Sequence, residues 1–183
     1  MRMLKWMRGA VYKRVAVGLL TMSSVGFATW KASEHFVSVP MIPTKNDAPT
    51  IGFGSTRYED GTPVKLTDPP ITRKRAEQLA RNLNDQEEIK FIASLPGVEL
   101  TQEEFDLYMD FVGQYGIGNW RKSAMRRHLL AGNHKAACEA LLRYRFAAGY
   151  DCSTRINGKP NKRCWGVWRR QLARCEKCRE AQK

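Results

Sequence analysis

Apolar side chains recur every three or four residues at Phe105, Tyr108, Met109 and Val112, the spacing of one buried helical face. Thr101 followed by Glu104 opens that helix as a capping box, and Gly116-Ile117-Gly118 breaks it. An earlier helix is predicted from about Arg73 to Ser94, with Thr72 as its N-cap, Leu79, Leu83, Ile89 and Ile92 on its buried face, and Pro96-Gly97 at its end. Shorter helices are expected over Lys122 to Ala131 and Asn133 to Arg145, a loop over Gly149 to Lys162, and a last helix from Trp165 to Glu180. Ahead of the helices the pattern changes. Pro40, Pro43 and Pro49 forbid a long helix between His35 and Thr50, and Ile51 to Tyr58 mixes β-branched, aromatic and glycine residues before Glu59-Asp60-Gly61, a hairpin signal. The expected fold class is therefore α+β, a small antiparallel sheet followed by a helical body.

The first part of the chain has a different character. Arg2, Lys5, Arg8, Lys13 and Arg14 precede an uncharged run from Val15 to Trp30, and no acidic residue occurs before Glu34. This is the charge layout of an export signal. As one helix the run would be about 24 Å long, short of a bilayer core of about 30 Å. Half of it is Gly, Ser, Thr or Ala, so it inserts weakly. Four readings follow: a cleaved signal peptide with Gly26-Phe27-Ala28 at the cleavage site, a poorly built permanent anchor, a segment that inserts and later escapes, or a buried core helix.

Composition narrows the class. Of 183 residues, 43% are hydrophobic and 27% charged, which supports one globular domain plus a short extra segment and excludes a disordered chain. A net charge of +13 draws the protein to polyanions, whether nucleic acid, anionic lipid or an anionic cell wall. The five cysteines, Cys138, Cys152, Cys164, Cys175 and Cys178, all lie late in the chain and read as disulfides if it is exported. Cys152 and Cys164 are expected to pair across their Gly- and Pro-bearing loop, worth about 2–4 kcal/mol, and Cys138 with Cys175 or Cys178. Cys175 and Cys178 lack further ligands for a metal. His128 and His134 are expected at the surface, the aromatics Tyr115, Trp120, Tyr144, Trp165 and Trp168 mostly in the core, and Arg121, Lys122, Arg126 and Arg127 on a basic face.

Candidate chemistry lies between Glu34 and Thr56. Glu34 ends the first segment, Asp47 lies in the Pro-rich loop, and Thr50 opens a strand. Glycoside hydrolysis needs one protonated carboxyl to donate to the leaving oxygen, and a second group to activate water or stabilise positive charge on the sugar. Flanking by Trp30, His35 and Phe36 would raise the pKa of Glu34 by desolvation, as an acid requires.

Glu34, the loop and Thr50-Ile51-Gly52-Phe53-Gly54 resemble the signature of phage endolysins of glycoside hydrolase family 24. Asp110-Phe111-Val112-Gly113-Gln114 resembles the family's Phe-Val-x-Asn-x-Gly helix, with Gln114 in the Asn place, and Cys164-Trp165-Gly166-Val167-Trp168-Arg169-Arg170 resembles its Gly-Leu-x-x-Arg-Arg segment. The resemblance implies a lysozyme-like fold and hydrolysis of the β-1,4 bond between N-acetylmuramic acid and N-acetylglucosamine, with inversion. It makes Glu34 the general acid and Thr50 the residue that holds the attacking water. It departs from the family at the middle member: Thr44 stands where an aspartate is usual, the loop is one residue longer, and Asp47 is the nearest carboxylate. Asp47 is preferred as the second catalytic group because a hydroxyl is not a base at neutral pH, with Thr44 as the alternative.

Family members with such an N-terminal run are signal-anchor-release endolysins. They are exported uncleaved, wait tethered to the inner membrane facing the periplasm, and are released as soluble enzymes. The resemblance divides the chain into a signal-anchor-release segment, 1–33, and a lysozyme-like catalytic domain, 34–183, with an N-terminal hydrophobic helix added to the fold. The expected partners are peptidoglycan and, through residues 15–30, the inner membrane. No specific nucleic acid, cofactor or metal is expected, and the chain is expected to be a monomer. The rival functions are a lytic transglycosylase on the same substrate and an anchored basic nucleic-acid-binding protein.

Overall fold

The computed structural model describes residues 13–44 and 47–183. Arg2, Lys5 and Arg8 of the positive N-terminus fall outside the described residues.

The helical lobe forms around one helix, α3 (Gln102–Lys122). Its start is the expected capping box: Thr101 accepts from the Glu104 backbone N–H at 3.1 Å and Glu104 accepts from that of Thr101 at 2.9 Å. Leu107 to Val112 are all buried, which a helix shows only when neighbours surround it. Gly116, at φ +80°, kinks it where the glycines predicted. Around α3 pack α2 (Arg73–Ala93), α4 (Ala124–Leu130), α5 (His134–Ala140) and α6 (Trp165–Glu180). Phe91 and Phe105 meet edge-on at 5.3 Å, Phe91 lies 4.9 Å from Trp120, and the indole N–H of Trp120 donates to Ser94. Trp165 and Trp168, expected mostly in the core, are half-buried.

Two expectations about helix faces fail. Ile89 of α2 is 70% exposed, because the face that meets the core runs through Ala76, Leu79, Ala80, Asn84, Glu88 and Phe91. That series keeps helical spacing better than the apolar one but passes through two polar residues. His134 is mostly buried, with its Nδ1 3.0 Å from the Glu104 carboxylate.

The small lobe contains β2 (Val37–Met41) and β3 (Thr50–Gly52), antiparallel, with Val37 opposite Gly52, Met41 opposite Thr50 and an irregular register between. The Glu59-Asp60-Gly61 turn follows, with Arg57 bridged to Pro63. Ile51, Val64 and Leu79 seal this lobe onto α2.

The N-terminal run is not one hydrophobic helix. It forms β1 (Val15–Ala16), paired to β4 (Glu99–Leu100), then a 3-10 turn, Val17–Leu19, and then α1 (Ser24–Ala32). Its small and polar residues are what divide it. Ser23 caps α1 by accepting from the Gly26 N–H, and carboxylates of the helical lobe take the preceding backbone: Met22 N–H donates to Glu88 at 2.8 Å and Ser23 N–H to Asp106 at 2.9 Å. Val17, Leu20, Phe27 and Trp30 are buried, so in this state the run packs as part of the core. Trp30 sits so close to α3 that a Cβ at Gly113 would collide with its indole nitrogen. Among the described residues no helix is long and apolar enough to cross a membrane.

Most of the residues expected as a loop, together with Phe146 and Ala147 before them, form two short hairpins, β5 (Phe146–Ala147) with β6 (Tyr150–Asp151), and β7 (Arg155–Ile156) with β8 (Lys159–Pro160). The expected Cys152–Cys164 disulfide closes them, Cys138 pairs with Cys178, and Cys175 is a buried free thiol.

Candidate active site

Glu34 follows directly from the end of α1. The last turn tightens, with Ser33 N–H donating to Trp30 O and Glu34 N–H to Lys31 O, which turns the chain out of the helix and into β2. Two residues on, Phe36 packs against Phe53 at a ring distance of 5.6 Å, and the Arg73 guanidinium lies over both rings. This contact fixes the end of β3 beside the end of α1. Gly54 follows at φ +83°, where its missing side chain leaves room: a Cβ there would come within 3.7 Å of the Glu34 carboxyl oxygen. Gly54, at a φ that favours glycine, is the member of the Gly-Phe-Gly run nearest the carboxyl, while Gly52 packs against Ala76.

Behind Glu34 stands an ion-pair network that sequence reasoning did not assign. Asp110 of α3 holds two arginines of α6: Arg170 Nη2 at 2.5 Å, and Arg174 through Nε at 2.6 Å and through the Asp110 carbonyl at 3.0 Å. Arg174 also donates to Gln114 at 2.7 Å. Arg170 reaches Glu34 less closely, Nη1 to Oε1 at 3.8 Å, beyond hydrogen-bond range. The arginine charge is therefore mostly matched by Asp110, whose carboxyl is held below its usual value by Arg174 and Arg170 against the opposing effect of burial. Glu34 keeps only part of that attraction. Its side chain is 29% exposed, and burial raises its pKa, opposed by Arg170 and assisted by the negative charge of Asp110. A carboxyl that holds its proton more tightly than usual, at an open surface, is suited to donate it.

Thr50 sits at the start of β3, half-exposed, its hydroxyl 3.4 Å from the Met41 carbonyl across the pair. Thr44 and Asp47 are both exposed in the connection between β2 and β3, joined by an Asp47 N–H to Thr44 carbonyl hydrogen bond of 2.9 Å. The structure thus puts Thr44, Asp47 and Thr50 on the hairpin that springs from Glu34, with Glu34 at its base and Asp47 and Thr44 toward its tip. A groove of about 580 Å³ lies between the end of α1 and α6, lined by Ser33, Gln114, Gly166, Arg169 and Arg170; Glu34 and the β2–β3 pair do not line it. Of the two α6 arginines, only Arg170 was visible in sequence, as part of the Arg169-Arg170 motif. Their i, i+4 relation at 170 and 174, opposite an acid within an otherwise apolar helix face, was the signal for an internal clamp.

A family model described as phage lysozyme matches residues 31–165. The chain belongs to the phage lysozyme family. The match begins within α1, three residues before Glu34, and ends at the first turn of α6. An endolysin of Bacillus phage B103 is 30% identical over 100 residues, 55% of this chain and 36% of that protein, so the alignment spans little more than a third of that relative's length. Among solved structures, an endolysin from Escherichia coli O157:H7 phage FAHEc1 superposes with a TM-score of 0.67 at 24% identity, covering 87% of this chain and 93% of the other. A mutant of P22 lysozyme gives 0.66 at 24% identity, covering 86% and 97%. The active form of P1 phage endolysin Lyz gives 0.66 at 13% identity, covering 91% and 89%. These likenesses show the lysozyme-like α+β fold of two lobes.

Proposed function

We propose that this chain is an endolysin, a glycoside hydrolase that cuts the β-1,4 bond between N-acetylmuramic acid and N-acetylglucosamine in peptidoglycan and so lyses the host. The observation that carries the reading is the Glu34 carboxyl: raised in pKa by burial, backed by Arg170, and faced by the glycine-bearing end of β3. In this reading Glu34 donates its proton to the glycosidic oxygen as positive charge develops on the sugar. Thr50 holds the attacking water on the other side, and Asp47 accepts the water's proton, with Thr44 as the alternative. The product inverts configuration, as the family resemblance implies, and no cofactor takes part.

Digestion of purified peptidoglycan with mass analysis of the products tests this. Reducing muropeptides that have gained one water are expected. Anhydro sugars, one water lighter, would instead make the chain a lytic transglycosylase, and absence of any product would remove the enzyme reading. The second group is resolved in the same assay. Asp47→Asn is expected to slow cleavage by about 10²–10⁴-fold, the usual contribution of a general base, while Thr44→Ala retains most activity. The opposite ranking would transfer the role to Thr44.

The proposal includes a tethered state before release, with residues 15–30 in the inner membrane and the body facing the periplasm. It is supported by the uncharged run following a positive N-terminus and by the run's weak hydrophobicity. The intact mass of protein recovered from the periplasm after lysis begins is expected to retain residues 1–33. A start at Thr29 would mean a cleaved signal peptide.

A further inference from the structure

We propose that the disulfide-closed double hairpin over residues 145–163 is a docking surface for an anionic lipid bilayer. Both hairpins turn through two residues of positive φ, Ala148 and Gly149 in the first, Asn157 and Gly158 in the second, which is the tight geometry that projects flanking side chains outward. What they project is apolar. Phe146, at 57% exposure, and Tyr150, at 44%, flank the first turn; Ile156, at 60%, flanks the second. Phe146 and Tyr150 are the only aromatics among the large hydrophobic side chains left exposed in the described residues.

Cations surround these side chains. Residues 145–163 contain Arg145, Arg155, Lys159, Lys162 and Arg163 against a single acid, Asp151, which Arg145 and Ser153 already engage. The other four cations have no carboxylate partner among the described residues. Tyr150, Ile156, Lys159, Lys162 and Arg163 line one concavity of about 550 Å³ between the hairpins, so apolar and cationic groups share a surface. Anionic headgroups match such a combination: the cations meet phosphates while the exposed apolar tips enter the headgroup–acyl boundary.

Single-stranded nucleic acid is a poorer match. It needs open aromatic faces for its bases. Arg163 lies 4.1 Å over the Tyr150 ring and Arg145 lies 5.5 Å over the Phe146 ring, which occupies one face of each. Ile156 offers nothing for a base to stack on. The proposal does not depend on which bond the cleft cuts.

The test is partitioning of the full chain onto phosphatidylglycerol and phosphatidylcholine vesicles, with hydrogen exchange of residues 146–160 read on the bound protein. Wild type is expected to prefer phosphatidylglycerol and to gain protection across those residues. Replacing Lys159, Lys162 and Arg163 together by glutamate is expected to lower partitioning about a hundredfold, since each cation near an anionic surface contributes about fivefold. Phe146→Ser with Ile156→Ser is expected to lower it about tenfold. Both variants should keep the wild-type melting temperature and peptidoglycan cleavage. No protection at residues 146–160 on phosphatidylglycerol overturns the proposal, whatever the N-terminal run contributes to binding. So does equal preference for the two lipids, or a loss in the glutamate variant confined to binding of a single-stranded oligonucleotide.

Discussion

Glu34→Gln is expected to reduce cleavage of purified peptidoglycan by about 10³-fold, within the range for loss of a general acid, while leaving the protein as stable as wild type or more so at neutral pH. The two halves have one cause. Burial raises the folded pKa of Glu34, against the attraction of Arg170, so the fold disfavours the ionised form. The stability associated with this group is complete at pH values where it is protonated in both states, and it is lost as pH rises through the raised folded value. Glutamine cannot ionise and escapes that loss. Its amide cannot deliver a proton, so the chemistry stops. The same titration predicts the alkaline side of the wild-type pH profile: activity falls as Glu34 gives up its proton. Substantial cleavage by Glu34→Gln, or a clear drop in its melting temperature at pH 7, would show that this carboxyl is structural rather than catalytic.

The second large effect is expected at Glu104, near the start of α3. Its side chain is completely buried, which by itself would raise its pKa, yet hydrogen bonds from His134, Arg14, Gln182 and the Thr101 backbone together hold it at about 2. Relative to an ordinary value of 4.5, this corresponds to about 3 kcal/mol of stability at neutral pH, present above pH 4.5 and lost as pH falls toward 2. Glu104→Gln is therefore expected to lower the melting temperature at pH 7 by roughly 6–12 °C, using the usual conversion for a chain of this size. It should also flatten the pH dependence of stability between pH 4.5 and 2. Arg14→Met should cost less, because Arg14 is 30% exposed and His134 and Gln182 remain on the carboxylate. A Glu104→Gln variant with wild-type acid sensitivity would mean that another group carries the transition.

The helical lobe was largely legible because its signals are local. The Thr72 cap, the Thr101–Glu104 box, the Gly116 break and the limits of α6 each depend on residues within four positions of one another. What escaped sequence reading depends on partners far along the chain. The first apolar run gives no hint that Glu88 and Asp106 will take its backbone N–H groups, so it looked like one continuous helix. The inner face of α2 was hidden because Asn84 and Glu88 are polar residues at inward positions. At the site, Glu34 and Thr50 were proposed through a motif, but the hairpin that joins them was not foreseen: Pro40, Pro43 and Pro49 signalled only the absence of a long helix, and the expected hairpin lay later, at Glu59-Asp60-Gly61. Asp110 and Arg170 were visible only as members of motifs and Arg174 was not singled out at all, because their roles rest on two helices meeting. Thr44 and Asp47 stay unranked by position, since both are exposed in the same connection.

Phe27 and Trp30 pack against Phe53, Ala76 and Ala80 beneath the turn that carries Glu34, and they belong to the run proposed to lie in the bilayer. On that proposal, substitutions at the buried positions Phe27 and Trp30 would be judged under two solvents. A more oily residue would prolong residence in lipid, and a more polar one would empty the seat of Trp30 against α3. The onset of lysis would then be written into the composition of a single nine-residue helix, as a balance that neither solvent is allowed to win outright.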